Sequence, residues 1–409
     1  MKYLYLLCVS SLLMSDITTQ GHVDMQAQAY LTHPPEKHAD NLTASAQLEF
    51  TYEKDDFEAV TKIYAQQDYY DLKESSQHND RSFIRIDELY GKYDFEDSQV
   101  TLGKSIRFWG ALEVNNIVDG FNPDDFRSDL FSADKLGVWN LSYAYYTDSG
   151  ELALIIKVDE QDQKMAAYPY VYYFFPSFVT YDKSLQTEKS KNRPSVYLKY
   201  SGSTDTEYAL DYAFVLENGY DDQRYFTSDG PLVGTPVTFH THAYLVNKAM
   251  TYNTLVVGST LIKLEALYAD VINDNIVSDY YHIGMGLEHT LNQFYKQADL
   301  GMITEYYRYE TLDNTKFSDL ELFETFQNDL FLGIRYSFNE GNDANIIGGV
   351  ILDLDYDEQS YYMEYETRVA ETFKLNLDYR YIQPSKDTLT AFNLMGLHQR
   401  ISLKLGYYF

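Results

Sequence analysis

The sequence predicts an all-β protein, a transmembrane antiparallel β-barrel of about 16–18 strands. Aromatic residues make up 16% of the 409 residues, with 41 Tyr and 23 Phe, and tyrosine suits a membrane–water interface because it joins an apolar ring to a polar hydroxyl. Alternating segments about ten residues long, the length of a membrane-crossing strand, follow one another between clusters of Asp, Asn, Gly, Ser and Lys. The last nine residues place Ile401, Leu403, Leu405, Tyr407 and Phe409 on one face of an extended strand.

The amino-terminus has the pattern of an export signal. Met1 and Lys2 precede a mostly apolar run that ends near Met14, as the charged and apolar regions of a signal peptide do. We predict a signal peptide over residues 1–21, with cleavage as late as residue 29, then a flexible periplasmic lead-in over 22–42 and a barrel over 43–409. Lipid attachment at Cys8 is disfavoured because Leu6 and Leu7 stand where a small residue is expected.

Alternation defines the predicted strands and their two faces. The candidates are 44–53, 57–66, 84–95, 99–108, 136–146, 151–159, 195–201, 207–216, 238–246, 254–270 as one strand or two, 281–290, 299–309, 330–338, 345–356, 360–369, 374–382 and 401–409. We expect the last strand to pair with 44–53, with Phe409 and Tyr407 facing lipid at the periplasmic rim and Lys404 and Ser402 facing the lumen.

The polar face of these segments supplies the predicted pore lining. It comprises Asp353, Asp355, Asp357, Glu364, Glu366, Arg368, Asp378, Arg380, Lys199, Asp211 and Lys404. The three aspartates at 353–357 resemble a calcium ladder, but the aliphatic alternation around them and the lack of a loop glycine favour a row facing the lumen. His240 and His242 point to one face of a strand, yet no third ligand is apparent, so we predict no metal site.

Four long connections, 110–135, 161–193, 218–236 and 312–328, are expected outside the membrane or folded into the lumen. The first follows a strand that breaks at Trp109-Gly110. Arg107, Asp119, Asp124, Asp125 and Arg127 lie in and beside it, and they are predicted to form a charged constriction if the loop folds inward, because opposed charges create a transverse field in a narrow pore. The alternative is that these are solvated loop charges.

Two stretches carry a family resemblance. The carboxy-terminal strand is similar to the closing strand of Gram-negative outer-membrane barrels, which typically end in Phe. The run from Leu102-Gly-Lys through Trp109-Gly110 to Asn122-Pro-Asp-Asp-Phe-Arg127 resembles a poorly characterised group of porin-like outer-membrane barrels. The resemblance implies a barrel in the bacterial outer membrane that passes small or hydrophobic solutes, and it names no substrate.

The charge balance and the motifs that are missing limit the function. With 62 acidic and 32 basic residues the net charge is −30, which disfavours nucleic acid as a partner and favours an aqueous pore with some preference for cations. No nucleophile elbow, zinc-protease motif, P-loop or dinucleotide turn occurs, so we predict neither an enzyme nor a bound cofactor.

The predicted function is passive diffusion of small solutes or ions through an outer-membrane channel with a mild cation preference. The partners implied are outer-membrane lipid and lipopolysaccharide, the barrel-assembly machinery and the permeating solute. The alternative is an adhesin or assembly scaffold that acts through its long loops. The aromatic run at 168–176 would be its contact surface, unless that run is an interfacial girdle or packs in the lumen.

Overall fold

A computed structural model describes residues 17–73, 80–173, 175–204, 206–231, 234, 236–313, 324–386, 388, 390–396 and 398–409. Its strands in chain order are β1 (Ile17–Thr32), β2 (Asn41–Lys54), β3 (Phe57–Asp68), β4 (Phe83–Asp94), β5 (Ser98–Ser105), β6 (Asp124–Asp125), β7 (Asp134–Lys135), β8 (Val138–Thr147), β9 (Gly150–Lys157), β10 (Val179–Thr187), β11 (Ser195–Thr204), β12 (Ala209–Tyr220), β13 (Tyr225–Ser228), β14 (Val237–Ala243), β15 (Leu245–Val257), β16 (Thr260–Val271), β17 (Tyr280–Tyr295), β18 (Ala298–Thr311), β19 (Asn328–Ser337), β20 (Asn345–Asp353), β21 (Gln359–Ala370), β22 (Phe373–Gln383) and β23 (His398–Tyr408). Two helices of five residues each, α1 (Tyr69–Lys73) and α2 (Ala391–Met395), lie in connections. Neither described helix is long and apolar enough to cross a membrane.

Eighteen of the strands form one closed antiparallel barrel, which confirms the predicted fold class. Each strand pairs with the next along the barrel, and β23 closes on β1 in a register that sets Leu403 opposite Ala27. Strands β6 and β7 form a small ribbon, and β10, β14 and β13 form a three-stranded sheet made by two of the long connections. Closure leaves the barrel itself without an edge strand.

The alternation of side chains determines which face of each strand points outward and which points into the lumen. In β23 the exposed fractions of Ile401, Leu403, Leu405, Tyr407 and Phe409 are 40%, 47%, 45%, 42% and 51%, whereas the intervening Ser402 is buried at 1%. The aliphatic and aromatic set thus lies outside and the polar set inside, as predicted for the closing strand. The same division on other strands gives the barrel an apolar outer belt.

The barrel begins earlier than the sequence pattern predicts, so the flexible lead-in at 22–42 is wrong. Residues 17–32 form β1, which pairs with β2 on one side and β23 on the other. The closing partner of the last strand is therefore β1 and not segment 44–53. Val23 and Met25 lie exposed outside while Asp24 and Gln28 are buried inside, which is the alternation that a barrel strand requires.

Other boundaries also differ from the prediction. Segment 238–246 belongs to two elements, because β14 leaves the barrel for the small sheet and β15 starts at Leu245. Segment 254–270 is a hairpin, since Gly258, at a φ of +60°, turns β15 into β16. The predicted signal peptide lies largely outside the described residues, which start at residue 17, and it stays a prediction.

Short and long connections separate to opposite ends of the barrel. The short-turn end, which carries hairpins such as β2–β3 and β15–β16, also holds Phe409, whose backbone exchanges two hydrogen bonds with Gly21 at 2.9 and 3.0 Å. The long-loop end carries the connections 106–137, 158–194 and 221–244. We call the first of these the inward loop, because it folds into the lumen.

Candidate functional site: the lumen and its inward loop

The inward loop crosses the lumen and docks on β16. The carboxylate of Glu265 accepts backbone hydrogen bonds from Ala111 at 2.5 Å, Leu112 at 2.9 Å and Val118 at 3.4 Å. Glu265 is fully buried. Backbone N–H groups placed inside a barrel need acceptors, and this side chain supplies one acceptor group for three of them.

A second carboxylate, on β18, holds the next stretch of the loop. Glu305 accepts hydrogen bonds from the amides of Glu113 at 2.7 Å and Val114 at 3.1 Å. The hydroxyl of Tyr307 donates to Glu305 at 2.7 Å and accepts from the amide of Asn115 at 3.1 Å. The wall of β16 and β18 thus fixes the backbone of residues 111–118, and charged hydrogen bonds of this kind are among the stronger ones.

Two glycines on the intervening strand β17 make room for the loop. A Cβ atom added at Gly284 would lie 2.4 Å from Cδ1 of Leu112, and one at Gly286 would lie 2.9 Å from Cδ2 of the same residue. Leu112 itself is 6% exposed. The missing side chains on β17 therefore form the seat into which this leucine packs.

Ion pairs also attach the inward loop to β19 and β23. Glu113 lies 2.6 Å from Arg335 on β19, and Asp129 lies 2.8 Å from Arg400 on β23. The strands β20, β21 and β22 stand between these two attachment points in the barrel order. The inward loop is therefore attached to the wall at both edges of this group of strands.

The predicted constriction residues all lie in or beside the inward loop, but most of their charged groups pair with other groups of the loop or of the barrel wall. Asp125 is fully buried, its carboxylate forms two hydrogen bonds with Arg127 at 2.8 and 2.7 Å, and it also contacts Arg85 of β4. The Arg107 guanidinium donates to Asn140 at 3.1 Å and Ser142 at 2.8 Å on β8. These three predicted residues anchor the loop rather than lining a free passage.

Asp119 and Asp124 both form an ion pair with the side chain of Lys135. The Lys135 ammonium lies 3.4 Å from Asp119 and 3.0 Å from Asp124. Burial outweighs this attraction and raises the pKa of Asp119 to about 6. The pKa of Asp124 is also raised, again chiefly by burial. These two carboxylates border a polar pocket with about 410 Å³ of empty space, part of it open to solvent, that Lys157 and Arg224 also line.

Besides Asp353 on β20, eight of the predicted pore-lining residues lie on the inner face of their strands. They are Glu364, Glu366 and Arg368 on β21, Asp378 and Arg380 on β22, Lys199 on β11, Asp211 on β12 and Lys404 on β23. Glu366 pairs with Lys374 at 2.7 Å, and Arg380 pairs with Asp378 at 2.9 Å. Arg368 lies at the short-turn end, where its guanidinium reaches Asp343 at 2.8 Å.

The predicted row of three aspartates does not form. Asp353 ends β20 and faces inward, but Asp355 and Asp357 lie in the connection that follows. The Asp353 carboxylate accepts the amides of Asp355 and Tyr356, both at 2.7 Å, which turns the chain and stops the strand. Asp355 then pairs with Arg308 at 3.2 Å on the outside of the barrel.

The interior is asymmetric. Around β8 to β18, the inner face and the inward loop form an apolar core that includes Trp109, Val118, Phe121, Tyr197 and Val215, each less than 5% exposed. Around β19 to β22, the inner face carries charged side chains that are partly exposed, such as Arg335 at 33% and Arg380 at 20% of the side chain. Water reaches the second half, because these charged side chains keep part of their surface exposed.

The aromatic run at 168–176 packs inside the barrel, as one of its three interpretations required. The Tyr172 hydroxyl accepts from Arg400 at 2.6 Å and from Gln28 at 3.1 Å, and the Tyr170 hydroxyl donates to Gln28 at 3.1 Å. Both tyrosines are fully buried, and Phe174 lies outside the described residues. As a contact surface for an adhesin, the described part of this run offers only the ring of Tyr168, which is 39% exposed, because Tyr170, Tyr172 and Tyr173 are turned away from solvent.

His240 and His242 lie in the small sheet of the long-loop end. The Nδ1 atom of His240 is 3.0 Å from Asp182 on β10, and Nε2 of His242 is 2.7 Å from the Thr227 hydroxyl. Among the described residues, no three His, Cys, Asp or Glu side chains are grouped so that they could hold a metal ion.

The sequence interpretation did not find Glu265, Glu305 or the two glycines of β17. A local signal was present, because Lys263 and Glu265 alternate with apolar residues, and so do Gly284 and Gly286. Alternation assigns such residues to the inner face, but only the fold brings them to the amides of a loop far away in sequence.

Comparison with known proteins gives a likeness of fold only. No family model matches the chain, and no curated protein matches it. OccK5 (OpdH) of Pseudomonas aeruginosa is similar with a TM-score of 0.52 at 8% identity over 96% of this chain and 98% of that one. OccK11 (OpdR) of the same organism has a TM-score of 0.51 at 7% identity over 95% of each chain.

A third structure extends this likeness to a barrel described as binding sugars. Wzi of Escherichia coli, an outer-membrane protein involved in group 1 capsule assembly and a carbohydrate-binding β-barrel, has a TM-score of 0.52 at 9% identity over 95% of this chain and 84% of that one. The protein has the closed, 18-stranded antiparallel fold of bacterial outer-membrane β-barrels.

Proposed function

We propose that the protein is a porin-like channel of the bacterial outer membrane, through which small solutes or ions diffuse passively. The observation that carries this proposal is the uneven lumen. The inward loop is fixed against an apolar core on one side, while the inner face of β19 to β22 keeps charged, partly exposed side chains. A polar passage beside a fixed loop is the arrangement expected of a size-limited channel.

The orientation proposed follows from the two ends of the barrel. Outer-membrane barrels have short periplasmic turns and longer external loops, so the long-loop end faces outward and Phe409 lies at the periplasmic rim. Export requires a signal peptide, which the sequence predicts over residues 1–21. Cleavage after residue 21 or residue 29 would remove part of β1, including Gly21, which pairs with Phe409, so we propose that cleavage occurs before Ile17.

The partners that we propose are those of an outer-membrane barrel in general. The apolar outer belt contacts lipid and lipopolysaccharide, and the barrel-assembly machinery inserts the chain. The net charge of −30 and the inward carboxylates Asp211, Glu364 and Glu366 support a mild cation preference, because fixed negative charge raises the local concentration of cations.

Reconstitution in planar bilayers with unequal KCl concentrations tests the proposal. We expect discrete conductance steps and a reversal potential of the sign that cation selectivity gives. The combined variant Asp211→Asn, Glu364→Gln and Glu366→Gln should move that potential toward zero. Asp270→Asn is the matched control, since Asp270 points to the outside of β16. The absence of conductance at every protein load would exclude a channel.

A further inference from the structure

Two carboxylates face each other at the long-loop end of the lumen. Asp329 on β19 and Asp353 on β20 are direct cross-strand partners, and both point inward. Side chains at such positions are only about 5 Å apart at their Cβ atoms, and like charges placed there repel. The negative charge of these two carboxylates therefore has to be neutralised by another group.

The described protein supplies no basic partner for the pair. No Lys or Arg nitrogen in the described ion pairs lies within 4.0 Å of Asp329 or Asp353. Asp353 is occupied by neutral donors, namely the amides of Asp355 and Tyr356 and the side-chain amide of Gln327. Within the described residues, the two carboxylates consequently have no opposite charge beside them.

The burial of Asp329 and its unpaired carboxylate oxygen are a second, independent observation. The residue is 1% exposed, one of its oxygens accepts the amide of Asn328 at 3.2 Å, and Oδ1 has no hydrogen-bond partner. A buried carboxylate oxygen without a donor is strongly disfavoured. Two further acidic side chains, Glu324 and Glu358, add negative charge to the surroundings of Asp329.

From this geometry we propose that Asp329 and Asp353 bind one small, partly hydrated divalent cation, of the Mg²⁺ or Ca²⁺ type. Hard cations of this class take carboxylate oxygens as ligands, and Mg²⁺ is commonly held by one or two carboxylates while it keeps several waters. Partial hydration is required because no group of three acidic or imidazole side chains in the described residues encloses a metal ion. The proposal is independent of whether the barrel conducts.

The site would join two strands next to the attachment of the inward loop. Phe331, two residues after Asp329 on the same inner face, packs with Ile303, Ile351 and, from the inward loop, Val114. A cation that removes the repulsion between β19 and β20 would stabilise the wall on which this loop rests.

Equilibrium binding of ⁴⁵Ca²⁺ to the full-length, detergent-solubilised protein tests the proposal, with Mg²⁺ as competitor. The wild type should show one saturable site, and Asp329→Asn should weaken binding by about tenfold or more. Asp355→Asn is the matched control, because Asp355 lies two residues from Asp353 but pairs with Arg308 on the outside, and it should bind as the wild type does. Heat-modifiable gel mobility shows that each variant is folded.

Three results would overturn the proposal. The first is the absence of a saturable site in the folded wild type, and the second is equal affinity in Asp329→Asn. The third is an infrared band of a protonated carboxylic acid that Asp329→Asn removes and that Ca²⁺ leaves unchanged, since a shared proton would then neutralise the pair. None of these results bears on conductance, which is measured separately.

Discussion

The Glu265 carboxylate on β16 accepts a hydrogen bond of 2.9 Å from the backbone amide of Leu112, deep inside the barrel. This contact joins a strand to a loop that leaves the wall at β5, several strands away. The inward loop is therefore part of the packed interior and not a mobile flap, and its attachment determines how much of the lumen stays open.

Replacing Glu265 by Ala should release the loop. Three backbone amides lose their acceptor, and leaving each one buried without a partner costs about 1–3 kcal/mol. We expect a larger and noisier single-channel conductance and faster proteolysis within residues 106–137. The control is Glu58→Ala, an inward carboxylate of β3 that pairs with Lys92 and not with the loop. Conductance and protease resistance equal to the wild type would argue against this anchoring role.

Adding a side chain at Gly284 should displace the inward loop through a steric clash with Leu112. The Cβ of Gly284→Ala would lie 2.4 Å from Leu112, so the leucine must move. The double variant with Leu112→Ala should recover wild-type conductance, with a coupling of about 0.5–3 kcal/mol in thermal unfolding. Gly301→Ala serves as control, because its Cβ would meet nothing closer than 3.5 Å. Additive effects of the two changes would contradict direct packing.

Docking of the inward loop should depend on pH through Asp119. Burial raises the pKa of this carboxyl from 3.8 to about 6, so the folded state binds the proton more tightly than the unfolded state does. The protonated Asp119 side chain contributes about 1–3 kcal/mol to the free energy of unfolding. This contribution is fully present below pH 3.8 and is lost as the pH rises through about 6. Asp119→Asn should remove this step from a plot of thermal stability against pH. An identical step in the variant would assign it to another group.

Deleting Phe409 should impair assembly more than conduction. Its backbone exchanges two hydrogen bonds with Gly21 across the seam, and its ring stacks on Tyr407 at 5.8 Å outside the barrel. We expect a lower level of heat-modifiable barrel in the outer membrane and an unchanged conductance of those barrels that form. Phe409→Tyr keeps both the backbone and the ring and should assemble normally. Wild-type levels of the truncated protein would refute this role.

The sequence predicted the parts of the molecule that depend on local alternation. The closing strand and β21 and β22 were predictable, because Leu403 and Lys404, or Tyr361 and Glu364, differ sharply in polarity. Strand β1 was missed because its outward face holds small or weakly apolar residues, such as Thr19, Gly21 and Ala27, and because it follows an apolar run typical of export signals.

The site depends on contacts that local patterns do not encode. Asp125 and Arg127 lie in the predicted long connection, and Arg107, predicted at the end of a strand, belongs to the same loop. Their pairing with β4, β8 and one another depends on tertiary packing. The role of Glu265 requires a barrel position and a loop amide that are far apart in the chain. Asp355 and Asp357 were misplaced because the turn at Asp353 ends the alternation.

The seam between β1 and β23 sets an order of events for the folding chain. Gly21 and Phe409 become neighbours although they are far apart in sequence, so the ring of strands closes only after β23 has been made and delivered. Until then two strand edges stay unpaired, and such edges invite association with other chains. Closure of the barrel thus requires both β1 and β23, and a copy lacking either strand would be exposed to proteolysis.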